Sequence, residues 1–162
     1  MNELSESAAR EALARCCGSQ RWVNALLARR PFESTKALLE AAREVWGALE
    51  RDDYLEAFAH HPRIGESLTE LAKRFARTAS MAAREQAKVA QADHETLAAL
   101  RDLNQRYFER FGYIFIVCAT GKSASEMLVL LRERLDNGPV RELEIAAEEQ
   151  AKITALRLAQ LA

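Results

Sequence analysis

Apolar positions recur at helical spacing along almost the whole chain. Leu38, Ala41, Ala42, Val45, Trp46 and Leu49 make one such face, and Leu100, Leu103, Tyr107 and Phe111 make another. Helix starts are marked by Asp53 with Glu56, Ser67 with Glu70 and Ser123 with Glu126, a spacing at which each side chain can accept the other residue's amide. Stops are predicted by Pro31 after Arg29 and Arg30, by Pro62 after His61, by Gly112 after Phe111, and by Asn137-Gly138-Pro139 ahead of the last helix. The pattern predicts an all-α protein of about eight helices, several of them short. Tyr113 to Ala119 is the exception. Its β-branched and aromatic residues favour an extended backbone, closed by Thr120-Gly121, with no second strand to pair with. Its peptide groups must then be satisfied by loops, water, another subunit or a ligand, which makes the segment a candidate binding wall. There is no internal repeat or low-complexity stretch, so residues 1–162 read as a single compact domain.

Composition agrees with one ordinary domain: 162 residues, 49% of them hydrophobic. The 23 Lys and Arg against 24 Asp and Glu leave a formal charge of −1, which offers no general field to nucleic acid or to an anionic membrane. The longest apolar run, Tyr113 to Ala119, is too short to span a bilayer, and the acidic N-terminal residues do not fit a secretory signal. The expectation is a cytoplasmic protein with neither nucleic-acid nor membrane partners. Three cysteines, Cys16, Cys17 and Cys118, are an odd number with two adjacent, which favours reduced thiols.

The residues offering chemistry are few. His61 lies at a predicted helix exit, because Pro62 disfavours helical geometry at the residue before it. An imidazole there can exchange protons near neutral pH, while the helix dipole equally accounts for it as a helix-end cation. A metal site is not expected, since the only histidines are His60, His61 and His94 and no C-x-x-C pair is present. Gly121-Lys122-Ser123-Ala124-Ser125 lacks the second glycine of a nucleophile elbow, and Ser123 reads better as an N-cap. Glu85 and Gln86 lie in an Ala- and Arg-rich stretch and, taken alone, read as a solvated face beside Arg84 or Lys88. Arg157, between Leu156 and Leu158, either carries its stem past apolar neighbours or presents a planar guanidinium to amide or carboxylate groups.

Order and spacing say more than any single residue. Arg30-Pro31-Phe32, His61-Pro62-Arg63-Ile64-Gly65, Glu85-Gln86, Leu103-Asn104 with Tyr107, Phe111-Gly112-Tyr113 leading into Phe115 to Ala119, Arg134-Leu135, and Ile153 with Leu156-Arg157-Leu158 follow one another along nearly the whole chain. In this arrangement the sequence resembles the OHCU decarboxylase family, named for its substrate 2-oxo-4-hydroxy-4-carboxy-5-ureidoimidazoline. The resemblance implies an all-helical fold with a partly extended segment, often dimeric. It also implies decarboxylation of the ureidoimidazoline to (S)-allantoin in urate degradation, without metal or organic cofactor. By motif, His61 is the implied acid and Glu85 the carboxylate facing the same ligand. Pro62 and Gln86 are implied pocket residues, Arg157 a cation near the ring, and the backbone of Phe115, Ile116, Val117, Cys118 and Ala119 the partner of ring or ureido amides. One position departs from the family pattern: Ala82 stands three residues before the glutamate, where serine is usual. The missing hydroxyl removes one hydrogen bond to ligand, worth about 0.5–1.5 kcal/mol net. The competing readings are a non-catalytic helical interaction module and a hydroxyisourate hydrolase acting one step earlier.

Overall fold

The computed structural model describes residues 1–61 and 86–161, with side chains omitted for residues 86–93. Seven helices occupy the described residues: α1 (Glu6–Cys16), α2 (Gln20–Leu27), α3 (Thr35–Gly47), α4 (Arg51–Ala59), α5 (Gln86–Phe111), α6 (Ala124–Leu135) and α7 (Pro139–Ala159). No strand is present among the described residues, which are all-α in fold. The chain divides into two compact units. The first comprises Met1–His61 and Ile145–Ala162, the second Pro62–Glu144.

Helix starts follow from serine oxygens placed to accept an otherwise unsatisfied amide. Ser5, Ser19, Ser34 and Ser123 each cap the amide three residues on, at 3.1–3.2 Å. Ser123 also forms the reciprocal box expected of it with Glu126. The expected start at Asp53 is displaced. Helix α4 begins earlier, with Glu50 as N-cap, and Asp53 sits in its first turn, accepting the Glu50 amide at 3.0 Å. Asp53 suits either position of a capping box, and spacing alone does not decide which. Glu56, freed from that role, accepts the Gln20 amide at the start of α2 at 3.0 Å. The Ser67 start and the Pro62 stop signal lie outside the described residues.

In the first unit, α2 packs against α1, α3 and α4. Trp22, Leu13, Leu26 and Phe58 are fully buried, and each such side chain contributes about 1.5–3 kcal/mol through removal from water. Two buried indoles find acceptors rather than leaving an N–H orphaned: Trp22 Nε1 donates to Ala42 O and Trp46 Nε1 to Ala147 O, both at 3.0 Å. The predicted face on α3 is largely correct: Leu38, Ala42, Val45 and Trp46 are buried, whereas Leu49 falls beyond the helix end. Helix α2 stops at Leu27, short of Pro31. Gly18, in the turn between α1 and α2, lies so close to α4 that a Cβ there would come within 2.3 Å of His60 Cγ. That contact sets the chain between Cys17 and Ser19 against the exit of α4.

In the second unit, α5 packs on α6. Helix α5 ends at Phe111, where Gly112 at φ 81° donates its amide to Phe108 O at 2.8 Å, the left-handed stop that glycine permits. Residues 114–119 are neither helical nor paired in a sheet. The segment closes in a turn in which Lys122 N donates to Ala119 O at 3.0 Å, with Gly121 at φ 75° supplying the positive dihedral. Gly138 and Pro139 then open α7, with proline at the first helical position.

Candidate active site

His61 leaves α4 by donating its amide to Phe58 O at 3.1 Å and is half-buried. Its ring reaches α7, where Nε2 lies 2.5 Å from Gln150 Oε1. Gln150 is fully buried, and its amide nitrogen donates to Thr154 Oγ1 one turn on, at 3.1 Å. Thr154 and the Ser19 amide lie beside the thiol of Cys17 and favour its ionised form. His61, Gln150 and Thr154 form a continuous polar chain from a helix exit into the core, with the Cys17 thiol beside its inner end. Burial pushes the Cys17 thiol up to about 11, against the opposing effects of the Ser19 amide, Thr154 and Arg157, so the inner end is uncharged near neutral pH. The neighbouring His60 is exposed and turns its Nδ1 back to Glu56 O at 3.1 Å.

Arg157 approaches the same corner from the last turns of α7. Its guanidinium donates to Cys16 O at 3.2 Å and to Arg15 O at 3.4 Å, the last carbonyls of α1. A cation there complements the helix dipole. Burial raises the Cys16 thiol as well, against Arg157 and Arg15. Arg157 is therefore tied directly to the end of α1, and the chain from His61 through Gln150 to Thr154 ends beside Cys17 at the same place.

Phe115, Ile116, Val117 and Cys118 are buried in the second unit, with Ala119 partly so. They are held by a buried ionic cluster that the sequence did not reveal. Glu142, fully buried, accepts from Tyr107 Oη at 2.5 Å, Arg134 Nε at 2.7 Å and Asn137 Nδ2 at 2.9 Å. Arg134 also donates to Ile116 O at 2.6 Å and lies 4.5 Å from the centroid of the Phe115 ring. Lys122 Nζ donates to Cys118 O at 2.9 Å. Two of the segment's carbonyls are therefore bonded by side chains of this protein, the kind of partner that an extended run without a sheet requires.

Pro62, Ala82 and Glu85 lie outside the described residues, as does the side chain of Gln86. A groove of about 530 Å³ opens between α3 and α7, floored by Ala42, Trp46 and Leu158; it touches the polar chain only at Thr154 and holds neither His61 nor Arg157. Among the described residues, no three His, Cys, Asp or Glu side chains converge as metal ligands. The three cysteines are free and buried.

Sequence reasoning missed Gln150, Thr154 and Glu142 as site and core residues. A signal was available. Glu142, Ala146, Gln150, Thr154 and Leu158 follow at four-residue spacing along α7 and all are buried, so the polar members share a stripe with residues whose burial is ordinary.

A family model described as OHCU decarboxylase matches residues 2–159. The chain is 39% identical over 148 residues to the uric acid degradation bifunctional protein TTL of Arabidopsis thaliana, which takes in 90% of this chain and 45% of that protein. It is 29% identical over 131 residues to the 2-oxo-4-hydroxy-4-carboxy-5-ureidoimidazoline decarboxylase of Haloferax volcanii, covering 81% and 74% of the two chains. The fold is similar to a crystal structure of an OHCU decarboxylase determined in the presence of (S)-allantoin, with a TM-score of 0.74, 37% identity, and 94% and 96% coverage. The chain thus spans less than half the length of the plant protein, and nearly all of the crystallised decarboxylase. With the match running from residue 2 to residue 159, the chain belongs to the OHCU decarboxylase family.

Proposed function

We propose that this chain decarboxylates 2-oxo-4-hydroxy-4-carboxy-5-ureidoimidazoline to (S)-allantoin, as one domain, in the cytoplasm and as a homodimer. The observation that carries the reading is the family match over residues 2–159, supported by a histidine at a helix exit whose ring is held by a buried amide. Among the described residues no helix is long and apolar enough to cross a membrane.

The chemistry asks little of the protein beyond placement and a proton. The bond from ring carbon to carboxylate breaks, carbon dioxide leaves, and the electron pair passes into the substrate's own conjugated C=N and carbonyl groups, so that no organic cofactor is needed as a sink. A proton then returns to carbon from the His61 imidazolium, leaving neutral imidazole, and delivery from one face sets the handedness of the product. Glu85 is assigned to hold the imidazole or the substrate hydroxyl, with Pro62, Ala82 and Gln86 lining the same cavity. Arg157 and the amides of Phe115 to Ala119 are assigned to the ring and ureido oxygens, where negative charge grows. Tight binding of the departing carboxylate would only stabilise the ground state.

The test supplies freshly generated substrate and follows carbon dioxide, allantoin and its optical rotation against spontaneous decay. Accelerated release of gas with a single hand of allantoin is the expected result. Accelerated consumption of hydroxyisourate without gas would identify the hydrolase instead. Decay at the spontaneous rate would leave a helical interaction module.

A further inference from the structure

We propose that Lys122 and Arg134 are positioning residues that aim the amides of Ala119 and Val117 at the ligand, each by holding the oxygen of the same peptide group. This rests on the assignment of the 115–119 backbone to the ligand, and deepens it by naming two amides and the side chains that direct them.

A trans peptide is planar, and its C=O and N–H point to opposite sides. Whatever grips the oxygen therefore fixes where the N–H on the far side is directed. Arg134 Nη1 donates to Ile116 O at 2.6 Å, which sets the direction of the Val117 N–H. Lys122 Nζ donates to Cys118 O at 2.9 Å, which sets the direction of the Ala119 N–H. The two gripped oxygens are two residues apart in a stretch that is neither helical nor paired, and that spacing brings both amides to one edge of the chain. No acceptor among the described residues takes a hydrogen bond from either amide. Val117 is buried and Ala119 partly so, and a buried N–H without an acceptor is costly, so the pair is built to receive an oxygen from outside the chain.

The grip is electrostatic as well as geometric. A cation on the carbonyl oxygen draws electron density along the peptide and makes its N–H a stronger donor. Two such amides form a preorganised place for a ligand oxygen on which negative charge grows as carbon dioxide leaves. The two cations are unequal. Arg134 shares its charge with the buried Glu142 carboxylate, whereas Lys122 has no such partner among the described residues. The Lys122 backbone is fixed by the turn, where its own amide donates to Ala119 O at 3.0 Å, and by the N-cap Ser123 next to it. The Gly121-Lys122-Ser123 stretch, which makes no nucleophile elbow, thus acts through its lysine on the peptide just before it.

The test uses the full chain labelled with ¹³C and ¹⁵N, with (S)-allantoin as the probe. Saturating the wild type should move the Val117 and Ala119 amide signals and slow their exchange with solvent more than those of Ile116 and Cys118. Lys122→Met keeps the apolar stem and removes the donor. It should shift the Cys118 carbonyl-carbon signal and cut the response of Ala119 to allantoin while leaving that of Val117. It should also lower kcat about threefold to tenfold, with KM altered by less than about twofold. Lys122→Arg, which can still donate to Cys118 O, should recover most of the lost turnover. Val117 and Ala119 amides that allantoin leaves unmoved, in an enzyme that releases carbon dioxide, would overturn the proposal whether or not any variant folds. So would a Lys122→Met enzyme with full kcat, or one that loses turnover while the Ala119 response stays as in the wild type. If the wild type releases no carbon dioxide, the decarboxylase reading fails on that result. An unmoved Cys118 carbonyl signal in Lys122→Met overturns the grip in either case.

Discussion

Each unit carries a buried polar assembly involving α7, and the two are built on opposite principles. In the second unit three donors converge on the Glu142 carboxylate, and its guanidinium partner also reaches a backbone carbonyl and an aromatic face. In the first, the links are neutral: Gln150 joins His61 to Thr154, and the outer end is an imidazole that is only half-buried. The difference lies in what each holds. The Glu142 carboxylate and its guanidinium partner pin the 114–119 segment. A chain of neutral links holds the His61 ring at Nε2.

The sharpest way to break this contrast is to remove the imidazole end. His61→Asn should lower turnover by about 10²- to 10⁴-fold, the usual contribution of a positioned proton donor, and leave the thermal midpoint close to wild type. A single-turnover assay alongside a melting curve checks both. An equal loss of stability would mean that the imidazole is structural, as Glu142 is held to be. Glu142→Gln should act first on stability. It leaves the buried Arg134 without its counter-charge and should cost about 3–5 kcal/mol in urea unfolding, much of the total stability of a small domain. Unchanged unfolding would show that the ionic cluster contributes little.

How far these assemblies can be read from sequence depends on how local their causes are. The stop at Gly112, the cap at Ser123 and the start at Pro139 were legible because each depends on residues within one turn. The α3 face was legible because burial repeats with helical period. Asp53 was misassigned because one carboxylate suits two positions of the same box, and the choice falls to Glu50. Recognition of His61 came from its place before a proline within a family-like order of motifs, and Arg157 from the same order. Gln150 and Glu142 were hidden, because on a helix rich in Glu and Gln nothing local separates a buried polar residue from a solvated one. Only partners 35 or 89 residues away make the distinction.

Alkali sharpens the comparison further, because both assemblies hold a group whose ionisation burial opposes. Cys17 is raised from 9.0 to about 11. The unfolded thiol therefore gives up its proton first, and the stability it supports is fully present below pH 9 and lost as pH rises toward 11. The loss attributable to this thiol is about 2–3 kcal/mol. Tyr107 is also raised from 10.0, by burial and then by its bond to Glu142, so its contribution falls away only above pH 10. Urea unfolding across this range should therefore show an early decline that Cys17→Ser reduces to the share of the Cys16 thiol, and a later one that it leaves. If the variant declines with the wild type from pH 9, the thiol is not the sensitive end of the first assembly.

The smallest expected effect concerns the turn that brings the two ends of the first assembly together. Gly18 has no side chain where a Cβ would lie 2.5 Å from His60 Cβ as well as 2.3 Å from Cγ, so rotating the His60 ring cannot relieve the clash. Gly18→Ala must shift backbone, either the Cys17–Ser19 turn or the exit of α4, at a cost of about 1–3 kcal/mol for overpacking. Both choices alter the path from Cys17 to His61, and neither touches the Glu142 cluster. The expected outcome is a modest fall in melting temperature with a larger fractional loss of kcat than of stability, and unchanged amide-exchange protection along α6. Should exchange in α6 accelerate as much as in α4, the two assemblies would be one cooperative structure, and the division of labour drawn between them would not hold.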